Sequence, residues 1–206
     1  MLKIAHLEKI EEITGLLANT LSSTVYDGMP PDVATALLAA KKQMESLPEV
    51  IEDLNAAFTR YLRLNTALKR MVALSYDSSQ LGEGPDDAEQ RRLLEEEFIS
   101  LANVVALEAG HRYFKGPTLS VANRISAIAA SKVLSYLKPV LEKLDFEIRG
   151  QKSLIVEAIA ETMNFMGVIT KCYPKAPGID IMRQTLEKVK LPADLEAPVS
   201  FAPTFH

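Results

Sequence analysis

The stretch 48-PEVIEDLNAAFTRYLRLNTALKRMVALSY-76 carries the clearest structural pattern in the chain. Its Pro48, with acidic residues close behind, suits the first turn of a helix. From there, inward candidates alternate spacings of three and four, as one face of a helix does in a coiled coil. We therefore expect a helix over 48–76 whose seam, the row that faces a neighbouring helix, consists of Ile51, Leu54, Phe58, Tyr61, Asn65, Leu68, Val72 and Ser75.

Asn65 is the exception in this seam, because it stands where an apolar residue is expected. In coiled coils a buried asparagine fixes register or partner at a cost in stability. The alternatives are that the seam is exposed to solvent there, or that the adjacent Leu64 points inward instead. The sequence leaves these interpretations open.

A second helix follows after a short loop that contains Gly82, Gly84 and Pro85. We expect it over 86–115, ended by Gly116 and Pro117. A short loop between two long helices predicts an antiparallel helical hairpin. The stripe of the second helix continues the spacing of four and three through Leu94, Phe98, Leu101, Val105, Glu108 and Arg112.

The rest of the chain also reads as helix, with almost no strand pattern. Gly150 marks the end of one of these helices, and Pro139 predicts a kink near residues 135–139. The fold prediction is an all-α bundle of five to six helices in which the hairpin packs on 119–149 and 152–171. The predicted domains are a bundle over 1–172 and an extended C-terminal arm over 173–206. The remaining helices are expected at 2–24, 32–45, 119–149, 152–171 and 180–190.

Composition favours a cytoplasmic protein. The net charge is −4, with 23 Lys and Arg against 27 Asp and Glu. No basic stripe indicates nucleic-acid binding, and no polybasic segment indicates an anionic membrane. The single cysteine, Cys172, predicts a small buried hydrophobe rather than a disulfide. The most apolar window, 153–170, is interrupted by Glu157 and Glu161, so a membrane span is not expected; insertion of this window into a membrane is a weaker, third hypothesis.

Glu108 and His111 form the one pattern that resembles a metal site, since Glu-x-x-His places both side chains on one helix face. A di-iron site needs a second such motif, and the only other histidines are His6 and His206. A zinc site that adds His6 to this pair needs contacts that spacing does not provide. We expect instead that Glu108 pairs with a cation or a hydrogen-bond donor of the protein.

The other acidic clusters read as solvated helix faces. The acids of 91-RRLLEEEF-98 point about 100° apart and cannot converge on one ion, so we expect Arg91 to pair with Glu95. Glu157 and Glu161, with Asn164, are expected to form an exposed polar strip, while the apolar residues of this helix, Leu154 among them, and Thr162 are expected to face inward. No nucleotide-binding, nucleophile-elbow or zinc-protease motif is present. The sequence thus predicts no catalytic residue and no cofactor.

The C-terminal arm carries the strongest functional signal. Its last residues, 191-LPADLEAPVSFAPTFH-206, combine three prolines with aromatic residues that a disordered tail seldom exposes. Either the protein's own bundle or another chain is expected to cover them. We predict a non-enzymatic interaction or structural subunit that binds a protein partner or a second copy; the alternative is a metal- or small-ligand-binding bundle that uses Glu108 and His111. The predicted partner-binding residues are Ile181, Met182, Leu186, Val189, Phe201 and Phe205.

Overall fold

The structure, a computed structural model, describes residues 2–24, 29–108 and 127–196. Within these residues the chain is all-α, as the sequence predicts, and no strand is present. The helices are α1 (Ile4–Ser23), α2 (Pro31–Ser79), α3 (Pro85–Glu108), α4 (Ala127–Cys172), α5 (Ile179–Lys188) and the short α6 (Ala193–Glu196).

α2 is one continuous helix where the sequence predicts two, 32–45 and 48–76. Pro48 lies inside it. A proline in a helix interior removes one hydrogen bond and costs about 3 kcal/mol. Each large apolar side chain that becomes buried contributes about 1.5–3 kcal/mol, so a few of them on each side of the proline outweigh that cost. The buried row does continue across it, through Met44, Leu47, Ile51 and Leu54.

α4 likewise replaces two predicted helices, and the predicted end at Gly150 is wrong. A glycine inside a helix costs about 1 kcal/mol relative to alanine. Ile148 and Ile155, on either side of it, are 6% and 0% exposed, and their burial outweighs that cost. Pro139 also lies within the helix. The kink near it stays a prediction, and residues 119–126 of the predicted helix lie outside the described residues.

The buried row of α2 changes phase once. It follows the predicted seam through Ile51, Leu54 and Phe58, and then continues at Leu64 rather than Asn65. Leu64 is 0% exposed, whereas Asn65 is only half-buried. The interpretation of Asn65 as a buried register residue is therefore wrong, and the alternative with Leu64 is confirmed. After the shift the row consists of Leu64, Ala67, Met71, Leu74 and Ser78, and the predicted seam residue Val72 is 48% exposed.

The described chain divides into two compact units, and α2 and α4 each contribute to both. The first unit contains the residues up to Asn55 and those from Ile148 onward; the second contains Ala56–Glu147. The phase change of α2 lies just beyond the boundary at Asn55. The predicted domain boundary at residue 172 falls inside the first unit, and 152–171, expected to pack on the hairpin, also belongs to that unit.

The second unit contains the predicted hairpin. One core cluster joins the second half of α2, α3 from Leu94 to Val105 and the first part of α4, so the packing of the hairpin on this part of α4 is confirmed. Phe98 is the largest side chain of the cluster and is 2% exposed. The buried members are Leu64, Ala67, Met71 and Leu74 of α2, Phe98, Ala102 and Val105 of α3, and Leu137 and Leu144 of α4.

Two arginines form hydrogen bonds that join the parts of the hairpin to one another. Arg91 donates through Nη2 to the backbone carbonyls of Leu81 and Gly82, at 3.1 and 2.9 Å, and so ties α3 to the loop. The predicted pair of Arg91 with Glu95 is therefore wrong, because the guanidinium donates to two carbonyls of the loop that follows α2. Arg70 of α2 donates to both carboxylate oxygens of Glu97 on α3, at 2.7 and 2.8 Å.

The first unit is built around α1, which presents the predicted stripe inward: His6, Ile10, Ile13, Leu17 and Leu21 are all buried. α5 packs against α1, and the Thr20 and Thr185 hydroxyls share a buried 2.7 Å hydrogen bond. Gly178 precedes α5 with φ = 81°. A Cβ there would lie 3.2 Å from Thr24 Cα, so both conformation and space require glycine at the start of α5.

Replacement of Phe98 by alanine should destabilise the hairpin unit. Phe98→Ala opens a cavity in the core cluster and should lower the free energy of unfolding by about 3–5 kcal/mol. Phe146→Ala is the matched control, because Phe146 is in the same unit but 71% exposed; its effect should stay within about 0.5 kcal/mol. Urea unfolding followed by circular dichroism measures both, and equal losses would contradict the assigned core.

The Arg70–Glu97 pair should give a pH-dependent stability. The hydrogen bonds from Arg70 hold the pKa of Glu97 below its ordinary value. Because the folded pKa lies below the unfolded one, the pair stabilises the protein above the unfolded pKa, and that stability is lost as pH falls through the folded pKa. Glu97→Gln should lower the Tm slightly at neutral pH and not at all in strong acid. A Tm deficit that is constant over this pH range would contradict the assignment.

Candidate binding groove between α2 and α4

The structure divides the predicted partner-binding residues into two groups. Met182 and Val189 are 0% and 3% exposed and are used in packing on their own chain. Ile181 remains 46% exposed, and Leu186 is half-buried. Most of the apolar face of α5 is therefore buried within the first unit, whereas the apolar side chain of Ile181 stays exposed to solvent. Phe201 and Phe205 lie outside the described residues.

The predicted metal pair lies where the structure gives no geometry. The backbone of Glu108 ends α3, while its side chain and all of His111 lie outside the described residues. His6 is buried, and its Nδ1 accepts a hydrogen bond from the Lys3 backbone amide at 3.3 Å. In the described part of the chain no group of three or more His, Cys, Asp or Glu side chains could hold a metal ion. The Glu108/His111 site stays a prediction.

A groove of about 250 Å³ lies in the first unit, between the beginning of α2 and the last part of α4. Three alanines of α2 form most of one wall, and Phe165 of α4 stands on the other. Alanine carries no atoms beyond Cβ, so two helices that pack through it leave space that larger side chains would fill. The residues that line the groove are Ala36, Ala39, Ala40, Gln43, Glu161, Thr162 and Phe165.

Thr162 brings an unsatisfied polar atom to this groove. The residue is 2% exposed, and its Oγ1 has no hydrogen-bond partner within the described residues. Threonines elsewhere in the chain donate to the carbonyl one turn back: Thr14 to Ile10 and Thr20 to Leu16, both at 2.8 Å. An unpaired buried hydroxyl costs about 1–3 kcal/mol. Because Oγ1 itself is closed to solvent, its missing hydrogen bond is a local packing cost at this wall of the groove.

The rim of the groove is acidic and apolar. Glu161 is exposed, as predicted, together with Glu157 and Asn164. Leu154 and Val168 lie seven residues before and after Glu161, which places them on the same helical face. They are 62% and 57% exposed. Their face of α4 therefore offers apolar surface above and below one carboxylate.

Sequence reasoning assigned part of this arrangement and missed the rest. It placed Thr162 inward, and it is buried; it placed Leu154 inward, and that is wrong. It did not identify a groove. The sequence feature that could have indicated a groove is the set of closely spaced alanines in 35-TALLAAKKQ-43. These alanines leave one face of the helix without large side chains. Which helix would lie opposite that face is a matter of tertiary packing, which the local pattern does not contain.

Two further residue-level expectations change. Cys172 is exposed rather than buried, because it is the last residue of α4 and its face is not covered there. The segment Leu137–Cys172 is apolar enough, with a mean hydropathy of 1.3 in its best 18-residue window, to cross a membrane by length and composition. The two glutamates therefore do not exclude such a span by composition, although core helices of soluble proteins meet the same criterion.

Comparison with known proteins adds no relative: no family model, no curated protein and no solved structure matches the chain.

Removal of the Thr162 hydroxyl should stabilise the protein. Valine has the shape of threonine without the polar atom, so Thr162→Val should raise the free energy of unfolding by about 1 kcal/mol. Thr14→Val is the matched control, since Thr14 is also 2% exposed but its hydroxyl is bonded; this change should lower the free energy of unfolding or leave it unchanged. Denaturant titration of the two variants measures both free energies of unfolding. A decrease in both variants would contradict the conclusion that the Thr162 hydroxyl is unpaired.

Proposed function

We propose that the chain is a non-enzymatic interaction subunit that binds another protein through the groove between α2 and α4 and through its C-terminal arm. The observation that carries this proposal is the groove itself: the alanines of α2 and Phe165 of α4 leave about 250 Å³ of space between them. A partner side chain that enters would fill this space and remove apolar surface from water.

The surroundings of the groove support a protein partner over a small isolated ligand. Leu154 and Val168 extend the apolar surface along α4 beyond the groove. Protein interfaces combine a pocket that takes one anchoring side chain with surrounding apolar area that excludes water. A groove smaller than the roughly 300–1,000 Å³ typical of drug-sized ligands suits one such anchor.

The arm is the second part of the proposal. α5 and α6 belong to the first unit, and Leu195 of α6 is 2% exposed. In sequence, the aromatic segment 197–206 follows directly after α6 of the unit that contains the groove. Val199, Phe201 and Phe205 in this segment are apolar anchors in sequence, and an extended segment with such anchors fits a partner's surface.

A filled groove should weaken partner binding without affecting the fold. Ala39→Phe places a ring in the groove at an exposed position of α2, while Ala160→Phe makes the same change at an exposed position of α4 that does not line the groove. The partner, captured with the full chain from cells of its source, is identified, purified and titrated against each variant. Binding should weaken at least about tenfold in Ala39→Phe and stay unchanged in Ala160→Phe.

The arm is tested in the same titration. The double variant Phe201→Ser and Phe205→Ser keeps the helices intact and removes only the aromatic anchors, so weaker binding would assign them to the partner interface. Equal affinity of all variants would contradict the proposal. So would a chain that is monomeric in light scattering and retains no specific protein at any concentration tested.

A further inference from the structure

We infer that Asn65 determines which face of α2 packs in the hairpin unit, because its amide makes a competing face unfavourable to bury. The inference concerns the second unit alone and does not depend on the groove or on a partner. It comes from two observations: α2 carries two apolar rows in this unit, and the row that the structure leaves outside is the one that contains an asparagine.

The two rows of α2 are closely matched in composition. The inner row, which the structure buries, consists of Leu64, Ala67, Met71, Leu74 and Ser78. The outer row, which continues the spacing of three and four from Phe58 without interruption, consists of Tyr61, Asn65, Leu68, Val72 and Ser75. Each row offers three large apolar side chains and one serine, so hydrophobic content does not decide between them. The remaining member is alanine in the inner row and asparagine in the outer row.

The outer row lies at the edge of the core. Tyr61 and Leu68 are partly buried and pack against the core cluster, whereas Val72 is 48% exposed. Since each residue of a helix turns by about 100°, the centres of the two rows lie about 100° apart around the axis of α2. A rotation of α2 by this angle relative to α3 and α4 would exchange the rows. The competing arrangement is therefore a neighbour of the observed one.

Asn65 makes the competing arrangement unfavourable. In the observed one it is half-buried, but a rotated α2 would place its amide inside the core. The side chains of the core cluster are apolar and offer no hydrogen bond to the two N–H donors and the oxygen of that amide. Burial of an unsatisfied polar group opposes folding, and Ala67 of the inner row has no such cost. Asn65 thus selects the observed face by being excluded from the core, not by being buried in it.

The ion pair of Arg70 with Glu97 favours the same arrangement. Arg70 lies about 80° from the centre of the inner row, beside α3, and donates to both Glu97 carboxylate oxygens at 2.7 and 2.8 Å. The same residue lies about 180° from the centre of the outer row, so rotation of α2 would turn it away from α3. The pair is exposed to solvent and contributes less than the amide of Asn65.

The test measures thiol labelling rates in the full chain with Cys172→Ser, which removes the exposed native thiol. Met71→Cys and Val72→Cys, made one at a time, report on the inner and the outer row, because these adjacent residues are 1% and 48% exposed. Val72→Cys should react much faster than Met71→Cys. Asn65→Leu removes the amide that excludes the outer row, so the ratio of the two rates should fall at least about tenfold.

Two control variants separate the amide from the added leucine. Asn65→Asp keeps the size and the polarity of the side chain, and Thr66→Leu adds a leucine at an exposed position of α2 that belongs to neither row. Both should leave the ratio within about twofold of its original value, because neither makes the outer row easier to bury. An unchanged ratio in Asn65→Leu, or an equal decrease in Thr66→Leu, would overturn the inference.

A second pair of thiols keeps the test independent of the cavity that Met71→Cys creates. Ser78→Cys in the inner row and Ser75→Cys in the outer row change one atom each, and the two serines are 6% exposed and half-buried. With Asn65→Leu, labelling of Ser78→Cys should accelerate and labelling of Ser75→Cys should slow. Acceleration of both would indicate local opening of α2 instead of rotation and would overturn the inference.

The contribution of Arg70 is measured in the Asn65→Leu background. Addition of Glu97→Gln should lower the ratio of labelling rates by about a further twofold, as expected for an exposed ion pair. Glu96→Gln is the matched control, because Glu96 pairs with Arg92 of its own helix and that pair does not depend on the face of α2. Equal effects of the two glutamine variants would contradict the role assigned to Arg70.

Discussion

Burial along α2 is the constraint on which both units depend. One helix supplies inward side chains to the first unit through Met44, Leu47 and Leu54 and to the second through Leu64, Met71 and Leu74. The helix can do so only because its inward row shifts by one residue after Phe58. Side chains of a helix recur on one face at spacings of three and four, and two successive spacings of three rotate that face. Each core therefore uses its own row of spacings of three and four along α2.

The sequence predicts the elements of this fold better than their ends. Hydrophobic spacing alone identifies α1, the hairpin and α5, since each keeps one apolar stripe. Pro48 and Gly150 lead to wrong predictions of helix ends. Their cost to a helix, about 3 and 1 kcal/mol, is set by the residue itself. The stabilisation that exceeds this cost comes from burial against other helices, which the local sequence does not show. Asn65 misleads for a related reason: a seam extrapolated from Ile51 is correct only as long as the helix keeps the same neighbours.

The groove could not be predicted from hydrophobic spacing, for a different reason. A stripe of large apolar residues can be recognised from the sequence of one helix. A groove cannot, because it is the space that remains between the surfaces of two helices after they pack. Alanines at 36, 39 and 40 read as ordinary helix formers in sequence, and Thr162 reads as an inward residue that bonds to its own helix, as Thr14 does. Only the packing of α2 on α4 shows that the alanines leave room and that the hydroxyl has no partner among the described residues.

The alanine wall also has an evolutionary consequence. Ala39 is exposed, so random substitution there meets little resistance from folding, and most replacements would add bulk to the groove. Gly178 is the opposite case, because its backbone conformation and its distance to Thr24 penalise any side chain in the folded state itself. Over time, drift should preserve Gly178 whatever the protein does, but it should erase the groove unless binding selects for small residues. Small residues that persist at 36 and 39 would therefore record selection for function rather than for stability.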